Sequence, residues 1–279
     1  MKKMASISYN GVVYNEMKGA FSSPEGVLDR VVLNTLFPDN CYANESGGDP
    51  EVIPQLTYEQ FLDFHRTYYH PSNSYIYLYG DMDMEEKLRW LDEEYLCHYD
   101  KKDVNSEIHL QKPFDEVQEK TFEYSIASDE STEENTFLSY NKVIGTTLDR
   151  ELYQAFEILD YALLSAPGAP LKKALTDAGI GKDIMGSYDN GVYQPIFSVV
   201  AKNAEESQKD EFVKVIEDVL RDQVKNGINQ KALLAGINYN EFRYREADFG
   251  NYPKDLCMDS KSWIAGFMMK TSRLSILRR

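Results

Sequence analysis

Residues 135–165 read NTFLSYNKVIGTTLDRELYQAFEILDYALLS. The first part, NTFLSYNKVIG, mixes β-branched and aromatic residues and stops on a glycine, which predicts a strand. The second part, LDRELYQAFEILDYALLS, puts Leu152, Phe156, Leu159 and Leu163 at i, i+4, i+7 and i+11, the spacing of one helix face. A strand feeding an amphipathic helix repeats in both directions from here. Upstream, KTFEYSIA (120–127) predicts another strand. Downstream, APGAP breaks the helix and LKKALTDAG gives a short one. GSYDNGVYQPIFSVVAKN (186–203) predicts strands around a turn at Asp189-Asn190-Gly191. Two further helices are predicted, over 205–227 and 229–248.

The first hundred residues carry the same mixture. GVVYNEMKG (11–19) predicts a helix with Glu16 inside it. Pro24 and Glu25 open a second, in which Val27, Leu28, Val31 and Val32 fall at helical spacing. After a loop crowded with Gly, Pro, Asn and Asp (38–55), Thr57 and Gln60 have the spacing of a capping box. The helix behind them groups Phe61, Phe64 and Tyr68 on one face. SYIYLYGDMD (74–83) alternates with period two, Tyr75, Tyr77 and Tyr79 on one side and Ile76 and Leu78 on the other, and so predicts a strand with an aromatic packing face. Residues 83–98 predict a helix with Leu88, Leu91 and Tyr95 inward. Residues 99–120 lack either period, are dense in charge and predict a linker. The fold class is α+β in two pieces.

Composition excludes several functions. The chain has 279 residues, and 46 acidic against 30 basic residues give a net charge of -16. No surplus of Lys and Arg is available to neutralise phosphates, so no nucleic-acid partner is expected. No run approaches the roughly 18 apolar residues of a membrane span, so no membrane partner is expected either. MKKMASISYN has no apolar stretch behind its lysines and predicts neither a secretory signal nor a transit peptide. The three cysteines, Cys41, Cys97 and Cys257, include no CxxC pair and read as reduced thiols. Together these predict a cytoplasmic protein.

No catalytic motif is complete. His65 and His70 are five residues apart, and His70 precedes a helix-ending proline, so the two cannot share a metal on one helix face. The expectation is a surface His65 and a His70 that complements the helix macrodipole. No GxSxG, P-loop or GxGxxG is present, and the paired glycines of SGGDP (46–50) read as a turn.

Four stretches nevertheless carry a family resemblance: GVVYNEMKGAF (11–21), SGGDPEVIPQLTYEQFLDFHRTYYHPSNSYIYLYGD (46–81), APGAPLKKALTDAGIG (166–181) and EFRYREADFGNYPK (241–254). In this order they resemble the presequence-protease branch of the insulinase (pitrilysin) zinc peptidases, from about Tyr9 to Asp255. The resemblance implies two insulinase-like domains, each a mainly antiparallel sheet packed against helices. Residues 1–98 would be the C-terminal part of the catalytic first domain, 99–120 a linker, and 121–259 most of a second, non-catalytic domain. The family holds zinc with an inverted HxxEH motif and a Glu on a later helix. Glu16 matches that third ligand, while HxxEH would lie upstream of Met1. The implied cofactor is zinc in the intact enzyme, and the implied partners are peptide substrates and the missing remainder of the enzyme. The acidic charge suits basic peptides and equally suits a solvated surface. A non-catalytic homologue serving as a binding or assembly subunit is the alternative.

The last residues, DLCMDSKSWIAGFMMKTSRLSILRR, leave the family pattern. Read one frame across, permitted codons yield QVLDSWFYDENKPFIHFE, the expected continuation. Residues 260–279 are therefore expected to be a frame-shifted tail, and neither Trp263 nor Arg278-Arg279 to mark a membrane or nucleic-acid site.

Overall fold

The computed structural model describes residues 8–246, 249–254 and 256–258; the tail expected to be frame-shifted lies outside them. The chain divides into two units, one of Met1–Ala20 with Asn44–His109 and the other of Phe21–Ala43 with Leu110–Arg279.

The first unit holds helices α1 (Val12–Ala20), α3 (Tyr58–Tyr68) and α4 (Met84–Glu94), and α2 (Pro24–Leu36) belongs to the second unit. Local chemistry starts two of these helices, α3 as the sequence predicts. Thr57 Oγ1 accepts the Gln60 N–H at 3.2 Å and Gln60 Oε1 accepts the Thr57 N–H at 2.8 Å, a reciprocal capping box. Asp83 Oδ1 caps α4 by accepting the Glu86 N–H at 3.0 Å. Packing differs from expectation in α4. None of the unit's described residues is buried. Of the trio expected inward, Leu88 and Tyr95 are exposed and Leu91 alone is half-buried; Phe61, Phe64 and Tyr68, grouped on one face of α3, are exposed as well. The predicted strand at 74–83 also departs. The Tyr77 and Tyr79 rings stack on one side, 6.5 Å apart, as i and i+2 do on extended backbone. Among the described residues, however, 74–83 join no sheet. Alternation specifies an extended conformation but does not supply the neighbouring strand that makes a ladder.

The second unit contains α2 (Pro24–Leu36) and, from 110 to 135, no helix or strand apart from turns. It continues with β1 (Thr136–Val143), α5 (Arg150–Asp160), a π-helical turn (Tyr161–Ser165) and α6 (Pro170–Asp177). β2 (Asp183–Asp189), β3 (Ile196–Ala204), α7 (Lys209–Asn226) and α8 (Gln230–Glu246) complete it. The sheet order is β1-β3-β2, antiparallel throughout, so β3 is central. Leu138 and Ile184 both lie opposite Ala201, and Tyr140 and Gly186 both lie opposite Val199. The helices cover this face: Leu163 and Leu164 of the π turn, Leu171 and Leu175 of α6, and Phe212 and Ile216 of α7 form one core with Leu138, Ile184, Phe197, Val199 and Ala201. Gly186 is needed for close approach, because a Cβ there would fall on Leu164 Cδ1 and lie 3.0 Å from its Cγ. The α+β class with an antiparallel sheet against helices is therefore what this unit forms. The predicted strand at 120–127 stays outside the sheet; it meets β1 through side chains, Tyr124 donating to Asn135 Oδ1 at 2.8 Å and packing edge-on to Phe137.

A smaller core joins residues 21–43 to this unit. Phe37, Val192 and Ile196 are buried together against Leu33, Leu36, Tyr42 and Val143. Gln111 is buried beside them. Its Nε2 donates to Asp39 Oδ2 (2.7 Å), its Oε1 accepts the Asp39 N–H (2.9 Å), and its own N–H reaches Gln194 Oε1 (2.7 Å).

Candidate functional site

Glu16 sits in α1, midway along a nine-residue helix, with an exposed side chain. Its helix is held at the N-terminal end by Asn15, whose Nδ2 donates to Asn10 Oδ1 at 2.9 Å, and by the Tyr9 and Tyr14 rings, edge-on at 6.0 Å. Lys18 lies 5.8 Å from the Tyr14 ring centroid. On the other side of Glu16, Met17 packs on Gly47, where any Cβ would collide with the Met17 sulfur. Gly47 of SGGDP thus lets the 44–50 loop press against the helix that carries Glu16, a packing role within a segment read as a turn.

Among the described residues there is no group of three or more His, Cys, Asp or Glu placed to hold a metal ion. Glu16 is a single carboxylate, and a catalytic zinc site needs three protein ligands and an open position. The residues present do not fit zinc by themselves. The histidines do not compensate. His65 stacks on Tyr69 at 4.8 Å, on the surface as expected. His70 differs from expectation: its Nδ1 accepts the Ser72 N–H at 3.1 Å and caps the short turn Pro71–Asn73.

The second unit holds a polar cluster that sequence reading did not find. Glu157 of α5 accepts Asn190 Nδ2 at 3.1 Å and the Tyr244 hydroxyl of α8 at 3.2 and 3.3 Å. Burial, then the Glu157 charge, pushes Tyr188 and Tyr244 each up to about 12. The same causes push Tyr153 up. All three phenols stay protonated around one carboxylate. One turn further, Asp160 has a buried Oδ1 with no hydrogen-bond partner, and burial pushes its carboxyl up to about 6. These residues are scattered over α5, β2 and α8, and no spacing in the sequence connects them.

The fold and this arrangement define a helix-covered antiparallel sheet preceded by a helix bearing one exposed carboxylate. Comparison with known proteins gives the family. The model described as "Peptidase M16 inactive domain" matches residues 55–239, and the chain belongs to the peptidase M16 family. It is 49% identical over 265 residues to Protein HypA of Clostridium perfringens, covering 94% of this chain and 27% of that protein. It is 36% identical over 265 residues to Presequence protease 1, chloroplastic/mitochondrial, of Arabidopsis thaliana, covering 92% of this chain and 24% of that protein. The chain thus spans about a quarter of the length of these relatives. The fold is shared with a conserved protein from Enterococcus faecalis V583 (TM-score 0.69, 11% identity, 95% of this chain and 59% of that one). It is also shared with the peptidase M16 inactive domain from Pseudomonas fluorescens (TM-score 0.60, 17% identity, 95% and 64%). Among the described residues no helix is long and apolar enough to cross a membrane.

Proposed function

We propose that this chain is part of a cytoplasmic zinc metalloendopeptidase that degrades short or unfolded peptides, and that it is inactive alone. Residues 1–98 contribute the later part of the catalytic domain, 99–120 link it, and 121–259 supply most of the non-catalytic domain. Glu16 is the third zinc ligand, and the two histidines and the general base of HxxEH come from a portion outside this chain. The supporting observation is the combination of 49% identity to HypA over nearly the whole chain with coverage of only 27% of that protein. In the assembled site zinc would polarise the scissile carbonyl and activate water. This chain's own share is to present the Glu16 carboxylate from a helix fixed by Met17 against the 44–50 loop.

A binding or assembly subunit is the second reading. It is favoured by the description of the matching domain as inactive. The nucleotide sequence upstream of codon 1 separates the two: an in-frame HxxEH supports the peptidase, and its absence transfers the chain to the second reading. The same determination tests the shifted frame beyond residue 260.

A further inference from the structure

Asp189-Asn190-Gly191 ends β2 and opens its connection to β3. In an Asn-Gly pair the side-chain amide and the next backbone nitrogen can react with each other, because glycine has no Cβ to hold them apart. The chain contains three such pairs, Asn10-Gly11, Asn190-Gly191 and Asn226-Gly227. At Asn190-Gly191 both reacting groups are held. The Gly191 N–H donates to Asp189 Oδ1 at 3.0 Å. The Asn190 amide is fixed from the other side, its Nδ2 donating to Glu157 Oε1 at 3.1 Å. The flanks are pinned as well. Asp189 lies opposite Ile196 in the ladder, Val192 is buried with Phe37, and the Tyr193 N–H donates to the Tyr42 hydroxyl at 2.9 Å. Gly191 itself is exposed, so water reaches it. At Asn226-Gly227, by contrast, the Gly227 N–H closes the last turn of α7 on the Gln223 carbonyl at 3.0 Å, an acceptor that is not a base.

We infer that Asn190-Gly191 is a self-modifying site, at which Asp189 serves as the base and Asn190 loses ammonia to leave a carboxylate facing Glu157. The Gly191 nitrogen attacks Asn190 Cγ, and that bond forms as the Cγ–Nδ2 bond breaks. The Gly191 proton passes through Asp189 to the departing nitrogen, which leaves as ammonia. Water then opens the cyclic imide at either carbonyl, giving aspartate or its β-linked isomer. The sum is amide plus water to carboxylic acid plus ammonia, with no oxidant, metal or second protein. Asp189 satisfies the reach of a general base, about 2.6–3.2 Å between heavy atoms. The pinned loop supplies the proximity that an intramolecular attack needs. The product acts beyond the loop, because Glu157 also accepts the Tyr244 hydroxyl of α8 at 3.2 and 3.3 Å. A carboxylate where Asn190 had donated opposes the Glu157 charge and weakens the junction of α5 with α8.

The test incubates the full chain at neutral pH, folded and in urea, and follows the peptides holding Asn190 and Asn226 by mass spectrometry for replacement of NH2 by OH. In the folded chain Asn190 is expected to convert at least about tenfold faster than Asn226. In urea the two rates should agree within about twofold, since only the fold distinguishes them. Asp189→Asn keeps the acceptor and removes the base, and should slow Asn190 at least about fivefold with Asn226 unchanged. Unfolding of that variant would show as Asn226 rising to its rate in urea, and the folded-against-urea comparison of the unaltered chain then decides. Asn190→Asp, made as the product, should speed hydrogen exchange of the α8 amides 240–246 at least about threefold, and Asn190→Ala by less, because it removes the donor without adding charge. Conversion of Asn190 no faster than that of Asn226 in the folded chain overturns the site. An undiminished rate in folded Asp189→Asn overturns the base, and unchanged α8 exchange in Asn190→Asp overturns the coupling to Glu157.

Discussion

Asp160→Asn should stabilise the second unit at neutral pH and leave it unchanged in acid. Asp160 closes α5 where the π turn begins, with Oδ1 buried and unpartnered. Burial alone raises its carboxyl from the ordinary 3.8 to about 6. Between those two values the folded chain holds a proton that the unfolded chain has released, so stability falls as pH rises through the window. The cost is fully expressed above pH 6 and absent below 3.8. A shift of about two units corresponds to about 3 kcal/mol, and screening of the still-accessible part of the carboxyl reduces this to roughly 1–2 kcal/mol. An amide carries no charge to desolvate, so the variant should gain that amount at pH 7.5. The assay is urea unfolding followed by near-ultraviolet circular dichroism at pH 3.5, 5, 6 and 7.5, read as variant minus wild type. Taking the difference cancels the many surface carboxylates. A variant equally or less stable at every pH refutes the reasoning, because it would show that Asp160 ionises without penalty.

Four further substitutions test the packing and the candidate ligand. Gly186→Ala should cost about 1–3 kcal/mol by overpacking against Leu164, and Leu164→Ala in the same chain should recover part of it in a double-mutant cycle of melting free energies. Gln111→Ala, which strips the buried amide of both Asp39 bonds, should destabilise by about 2 kcal/mol, measured by urea unfolding. Glu16→Gln should change stability by less than about 0.5 kcal/mol, since the side chain is exposed; a larger change would give Glu16 a structural role.

The sequence made legible whatever is decided locally. The helix face at Leu152 and Phe156, the capping box at Thr57 and Gln60, and the turn after Asp189 need only neighbours within a few residues, and each appears where expected. Whatever depends on distant partners was not legible. Period-two alternation at 75–79 marked extended backbone, yet a ladder requires a second strand. The spacing of Leu88, Leu91 and Tyr95 marked an inward face, yet burial requires something to face. Gly186 needs Leu164, and Gly47 needs Met17; only the fold brings either pair together. Glu16 was singled out because the residues around it resemble a family motif. Glu157, Asp160, Tyr188 and Tyr244 escaped because hydrogen bonds and burial across three elements leave no periodic trace.

The most direct test of the central proposal, that Glu16 serves as a zinc ligand in a longer M16 peptidase, uses a joined protein in which the portion of C. perfringens HypA preceding its matched stretch is fused to this chain; hydrolysis of a quenched-fluorescence basic peptide and bound zinc are measured on the same sample. The account predicts stoichiometric zinc and chelator-sensitive cleavage for the joined protein, and neither for the lone chain. Glu16→Gln in the joined protein should lower zinc affinity and activity by at least a hundredfold with the fold intact. Undiminished zinc binding and cleavage by that variant, or cleavage by the lone chain, would contradict it.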